Sequence, residues 1–108
     1  MMQIIDIKQI VSLVKASKIL WTEHVAIRLR ERNIKRADLI HCVCNGKIIE
    51  QYPTDTPYPS CLILGFTQNN EPLHVVVGLN VNVICSIITV YHPDKNRWEH
   101  AFSKRKDG

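Results

Sequence analysis

The sequence predicts an α+β domain, with N-terminal helices packed on one face of a four-stranded antiparallel sheet. Two observations carry that expectation. Up to Val43 the apolar residues recur at helical spacing, and from Lys47 onward four β-rich runs follow one another, separated by turn chemistry. Helices that all precede a series of strands indicate segregated layers rather than alternating βαβ units. The 108 residues fit a single domain and leave little room for a second.

Each element has its own signal. Ile7, Ile10, Val11 and Val14 share a helical face, which places a first amphipathic helix over roughly residues 4–16. "SKILW" then reads as a short, extended connector. Thr22 is an N-cap, and Glu23 after it suits the helix dipole. A second helix follows to Arg32, with Val25, Ala26 and Leu29 inward and Asn33 as its stop. Asp38, Leu39, Ile40, Cys42 and Val43 indicate a short third helix, ended by the pair Asn45-Gly46. "KIIEQYP", "CLILGFT", "LHVVVGL" and "VICSIITVYH" are the strands. "TDTPYPS" is a loop, while "QNNEP" and Asn80 to Asn82 are hairpin turns. The tail "KNRWEHAFSKRKDG" becomes basic and is expected to fray at its end.

With 45% hydrophobic and 22% charged residues, the chain can bury a core and should not be disordered between its ends. A net charge of +4 fits a polyanion partner such as RNA, and equally fits simple solubility. Asp6, Lys8 and Lys15 interrupt the N-terminal segment, which lacks a basic start and a cleavage site, so no targeting leader is expected. No apolar run approaches the roughly 20 residues that span a bilayer; the expected location is cytoplasmic, with no membrane partner. Cys42, Cys44, Cys61 and Cys85 form no disulfide framework and read as reduced, mostly buried thiols. His41 and Cys44 are spaced to share a metal ion, but no second close pair completes a zinc site, so neither metal nor cofactor is expected. A phosphate-cradling glycine loop and a GxSxG elbow are absent from the sequence.

Three groups of residues invite a functional reading. His24, Arg28 and Arg32 recur every fourth residue along the second helix and form one stripe. The stripe is either a solvated charged face, with Glu31 near Arg28, or an anion clamp beside a titratable imidazole. His74 interrupts an apolar strand on the face shared with Val76 and Gly78, while Leu73, Val75, Val77 and Leu79 turn to the helices. It is a hydrogen-bonded structural histidine or a site residue, and Gly78 leaves room for a ligand to approach. Thr89 and Tyr91 share a face of the last strand, where Tyr91 either bonds a substrate or caps the sheet in water.

"HVAIRLRERNI", "NGKIIEQYPTDTPYPSCLILG", "PLHVVV" and "IITVYHPDKNRWE" occur in that order. Over roughly residues 20–99 they resemble a family of small bacterial domains of unknown function, leaving an N-terminal helix within 1–19 and a basic tail over 100–108 outside. That family is in turn distantly similar to RelE-like toxins of the barnase–EndoU–colicin–RelE group of metal-independent ribonucleases. The resemblance implies a RelE/barnase-like sheet with a site on its face, bordered by the early helix. It also implies a toxin–antitoxin setting with a zinc-finger antitoxin of the MqsA type as partner. Its polar marks fall on His24, Arg28, Arg32, His74, Thr89 and Tyr91. Asn33 stands where the pattern has glycine, and His92 where it is commonly acidic.

The expected function is therefore a toxin-like, metal-independent endoribonuclease. His24 and His74 would serve as base and acid in either order, Arg28 and Arg32 would hold the phosphate, and Tyr91 and Thr89 would position it. The alternatives are a non-catalytic module binding RNA or a protein, and a homodimer formed through an exposed strand edge.

Overall fold

The computed structural model describes residues 4–99 and 102–105. Asp6 opens the first helix through a reciprocal cap. Its carboxylate accepts from the Lys8 N–H at 3.0 Å, and the Gln9 side chain accepts from the Asp6 N–H at 3.0 Å. The cap starts α1 at Ile7, later than periodicity indicated, and the helix runs Ile7–Lys15. After β1 (Ile19–Trp21), Thr22 caps α2 (Glu23–Glu31), its hydroxyl accepting from the Val25 N–H at 3.1 Å. Asn33 stops this helix as expected, in the left-handed conformation at φ 54°. The Ile34 N–H then returns to the Leu29 carbonyl at 2.8 Å, with both side chains buried, a paired polar and apolar closure.

α3 (Arg36–Asn45) is followed by Gly46, whose φ of −93° is not left-handed. Glycine is needed there for closeness instead. A Cβ on Gly46 would lie 2.4 Å from the Cys42 carbonyl oxygen, and one on Gly65 would lie 2.4 Å from the same atom. The two glycines let the end of α3 rest directly on the sheet.

β2 (Lys47–Tyr52), β3 (Ser60–Phe66), β4 (Pro72–Asn80) and β5 (Ile84–Tyr91) form the expected antiparallel meander. The sheet itself corrects the expectation of four antiparallel strands: it is five-stranded and mixed, in the order β1-β5-β4-β3-β2. β1 runs parallel to β5, pairing Ile19 with Cys85 and Trp21 with Ile87. Three residues are too short to show alternation, and this strand forms because β5 offers it an edge. The tail also differs from the expectation. β6 (Trp98–Glu99) and β7 (Lys104–Arg105) pair as a separate two-stranded ribbon. Residues 106–108, at the end expected to fray, lie outside the described residues.

The main core lies between helices and sheet. Val25 and Leu29 of α2 and Leu39 and Val43 of α3 pack with Leu73, Val75, Val77 and Leu79 of β4, the face assigned from alternation. By the same alternation the opposite face carries Glu50 and Tyr52 of β2, Leu62 and Leu64 of β3, and His74 and Val76 of β4. On β5 strict alternation would send Thr89 and Tyr91 toward the helices with Ile87. A bulge prevents this: Val77 pairs with Ile87, but the adjacent Val76 pairs with Thr89. The extra residue, Ile88, switches the faces, so Val90 enters the core while Thr89 and Tyr91 join His74.

Candidate functional site

His74 has no exposed surface. Its Nε2 lies 2.9 Å from the Phe102 carbonyl oxygen, between β6 and β7. A carbonyl only accepts, so Nε2 carries the proton, and in the neutral ring Nδ1 is an acceptor. The Tyr91 hydroxyl, 3.2 Å from Nδ1, therefore donates to it. The Trp98 ring stands edge-on to the imidazole at 4.3 Å between centroids. Burial holds the imidazole pKa below its ordinary value, with the Phe102 contact and the Glu50 charge opposing and the Arg105 charge assisting. Burial likewise raises the Tyr91 pKa, so its hydroxyl stays protonated at neutral pH.

A second polar group ties the ribbon down. The Arg105 Nε donates to Glu50 Oε2 at 3.1 Å, and its guanidinium stacks 4.7 Å above the Trp98 ring. The Tyr52 hydroxyl donates to the other Glu50 oxygen, and burial with that bond pushes its pKa up to about 12. The ribbon is thus fastened across the sheet face at β2 and at β4.

Beside it opens a cavity of about 210 Å³ lined by Tyr91, His92, Asp94, Arg97, Trp98 and Arg105. Asp94 builds a turn that presents Arg97: its carboxylate accepts from the Asn96 N–H at 2.8 Å and its carbonyl from the Arg97 N–H at 2.9 Å. The lining sets two guanidiniums, one of them paired with Glu50, an imidazole and a phenol against the single carboxylate of Asp94, a set that suits a phosphate group. His92 also lines a neighbouring cleft of about 330 Å³ with Arg32, Lys35, Asp38, Asn69 and Glu71.

The expected site residues divide between these places. His74, Thr89 and Tyr91 share a sheet face, and Tyr91 reaches the smaller cavity. Arg32 donates to the Val90 carbonyl and lines the larger cleft, so its flank of α2 faces β5. Arg28 is half-buried on that flank, whereas His24, two turns earlier, has rotated by about 80° and is exposed. Neither lines either cavity. The space expected above Gly78 is taken by Ile88, whose Cδ1 would lie 3.3 Å from a Cβ there. The ribbon adds Trp98 and Arg105, and the turn before it adds Arg97, none of which stood out as site residues in the sequence. Their one signal was a tryptophan among the charges of the tail.

Cys42, Cys44, Cys61 and Cys85 are free thiols, and burial pushes Cys42 and Cys61 up to about 12 and Cys85 up to about 11. Those three are inert as nucleophiles at neutral pH. Among the described residues, no group of three or more histidine, cysteine or acidic side chains is placed to hold a metal ion. No helix among them is long and apolar enough to cross a membrane.

No curated protein and no solved structure matches the chain significantly. A family model described as a domain of unknown function (DUF4258) matches residues 21–92, which span α2, α3 and the whole meander but stop short of the β6–β7 ribbon. That match covers two thirds of the sequence, and the chain belongs to this family.

Proposed function

We propose that this protein is a metal-independent endoribonuclease of the toxin kind, acting at the cavity around Tyr91. The observation that carries the reading is the Tyr91–His74 hydrogen bond beside a cavity rimmed by Arg97, Arg105 and His92. The RelE-like resemblance of the sequence motifs agrees with it. In this reading the RNA 2′-oxygen attacks the adjacent phosphorus, and its proton passes to Tyr91 as the Tyr91 proton moves to His74 Nδ1. The imidazolium keeps its Nε2 bond to Phe102, which with the Glu50 charge offsets part of the burial and Arg105 charge that disfavour it. Arg97 and Arg105 take up the charge of the phosphorane. His92 protonates the departing 5′-oxygen, leaving a 2′,3′-cyclic phosphate and a 5′-hydroxyl. Arg32, at the neighbouring cleft, serves to bind and position the chain, while Thr89 lines neither space. His24 and Arg28, which line neither cavity, carry no proton in this scheme.

Incubation with RNA in EDTA tests the proposal. Wild type is expected to cleave, and Tyr91→Phe to slow cleavage about 100-fold or more. No cleavage by wild type, or an unchanged rate in Tyr91→Phe, overturns it. Expression should also arrest growth, with relief by an antitoxin encoded nearby. A second reading, a non-catalytic RNA-binding module, draws support from the complete burial of His74 and the engagement of both its nitrogens. Under that reading RNA is retained in a mobility-shift assay but stays intact.

A further inference from the structure

The larger cleft differs in chemistry from the cavity around Tyr91. It sets Arg32 and Lys35 against Asp38 and Glu71, so its charges balance, and it adds the amide of Asn69. Two carboxylates would repel a phosphate placed among them. A nucleobase suits them better, because it offers hydrogen-bonding edges without charge.

We propose that this cleft is a base-reading subsite that receives one nucleotide of a single-stranded RNA and selects a base carrying an exocyclic amino group. The inference rests on the ribonuclease reading and deepens it by naming a substrate preference. Its first support is continuity. His92 forms a wall of both spaces, so a nucleotide in the cleft is adjacent to a phosphate held by Arg97 and Arg105.

Rigidity is the second support. The β3–β4 turn is closed by the Thr67 N–H to the Glu71 carbonyl at 2.9 Å, and by the Glu71 N–H to the Thr67 hydroxyl at 3.1 Å. Asn70 takes the left-handed conformation at φ 63°, and its N–H donates to the Thr67 carbonyl at 2.8 Å. Asn69 and Glu71 are therefore carried on a fixed frame. On the other side Arg32 is tethered to the Val90 carbonyl, and Asp38 sits in the first turn of α3. The backbone frame is thus set before a ligand arrives, and the exposed side chains of Lys35, Asn69 and Glu71 are ordered on binding.

Selectivity is assigned to the two carboxylates, with Arg32 engaged by the Val90 carbonyl and Lys35 and Asn69 left to the ribose–phosphate and ring acceptors common to all bases. The carboxylates of Asp38 and Glu71 only accept hydrogen bonds. Cytosine, adenine and guanine each offer an exocyclic amino group, whereas uracil presents carbonyl oxygens around a single N–H. Uracil should bind least well.

The test uses fluorescein-labelled 2′-O-methyl oligonucleotides of adenine, cytosine or uracil alone, which cannot be cleaved, with binding read by anisotropy at constant salt. The adenine and cytosine probes are expected to bind wild type about fivefold or more tightly than the uracil probe. The double variant Asp38→Asn/Glu71→Gln should bring that ratio close to one, with its folding checked by circular dichroism and thermal melting. Arg97→Ala should weaken all three probes alike and preserve the ratio. Equal binding of the three probes by wild type, or a ratio that survives in a folded double variant, overturns the base-reading role. If the preference holds while unmodified RNA stays uncleaved, the subsite stands and the catalytic reading falls. If RNA is cleaved and the preference is missing, the catalytic reading stands and the subsite falls. Failure of every probe to bind overturns the subsite, and if unmodified RNA also stays uncleaved it overturns both readings and turns attention to a protein partner.

Discussion

Replacing His74 by leucine separates its packing from its hydrogen bonds and its charge. Leucine nearly matches histidine in volume, in a place that leaves the wild-type side chain no exposed surface. The Phe102 carbonyl loses the donor held at 2.9 Å, and the Tyr91 hydroxyl loses the acceptor at 3.2 Å. Tyr91 is half-buried and lines a cavity, so its hydroxyl can turn to water. The carbonyl is the main loss, at about 1–3 kcal/mol for a part-buried acceptor left without its donor. In a chain of this length that lowers Tm by roughly 5–20 °C.

Acidification adds a second signature. Burial lowers the folded-state pKa of His74, so the unfolded chain takes up its proton first. The stabilisation is complete above the unfolded pKa of about 6.5 and is lost progressively as pH falls toward the folded value, by at most about 1.4 kcal/mol per pH unit. Leucine carries no such proton. The stability gap between wild type and His74→Leu should therefore narrow between about pH 7.5 and about pH 5. Thermal melts followed by circular dichroism measure the gap, with the other titrating groups common to both proteins. A gap that stays constant or widens on acidification would show that burial does not hold His74 neutral.

Other consequences are simpler to read. Gly65→Ala places a Cβ 2.4 Å from the Cys42 carbonyl oxygen, where only backbone can move, and should cost about 1–3 kcal/mol or more in urea unfolding; an unchanged midpoint contradicts the close packing of α3 on β3. Thr22→Ala removes the cap on the Val25 N–H and should cost about 1 kcal/mol by the same measurement. A thiol reagent at neutral pH should modify half-buried Cys44 before Cys42, Cys61 and Cys85, as mass spectrometry of partial labelling would show. Equal labelling of all four contradicts the burial of the other three.

The meander was legible because turn residues separate its runs and alternation marks Leu73 to Leu79 as a buried face. Caps made α2 equally plain, through Thr22 at one end and Asn33 at the other. β1 was legible only as an extended connector, and its place in the sheet was hidden, because a three-residue strand is made by its neighbour rather than by its own pattern. The bulge at Ile88 was hidden too, and it has the larger consequence. His74 and Tyr91 could each be assigned a strand face, but their meeting depends on the extra residue that turns Tyr91 away from the helices. Arg97, Trp98 and Arg105 escaped notice for a third reason. A basic tail with few apolar residues reads as solvated, yet one tryptophan against His74 and one guanidinium on Glu50 suffice to seat it. Of the stripe His24, Arg28 and Arg32, the helix rotation carries His24 out to solvent, and Arg32 reaches a cleft.

The central claim is that Tyr91 and His74 activate an RNA 2′-hydroxyl. Its most direct test is an oligoribonucleotide carrying one 2′-deoxy residue at the mapped cleavage position, digested in EDTA beside the unmodified strand. The account predicts that the unmodified strand yields a 2′,3′-cyclic phosphate end and that the 2′-deoxy strand stays intact at that position. Cleavage of the 2′-deoxy strand, or an end bearing a free 3′-hydroxyl, would contradict it.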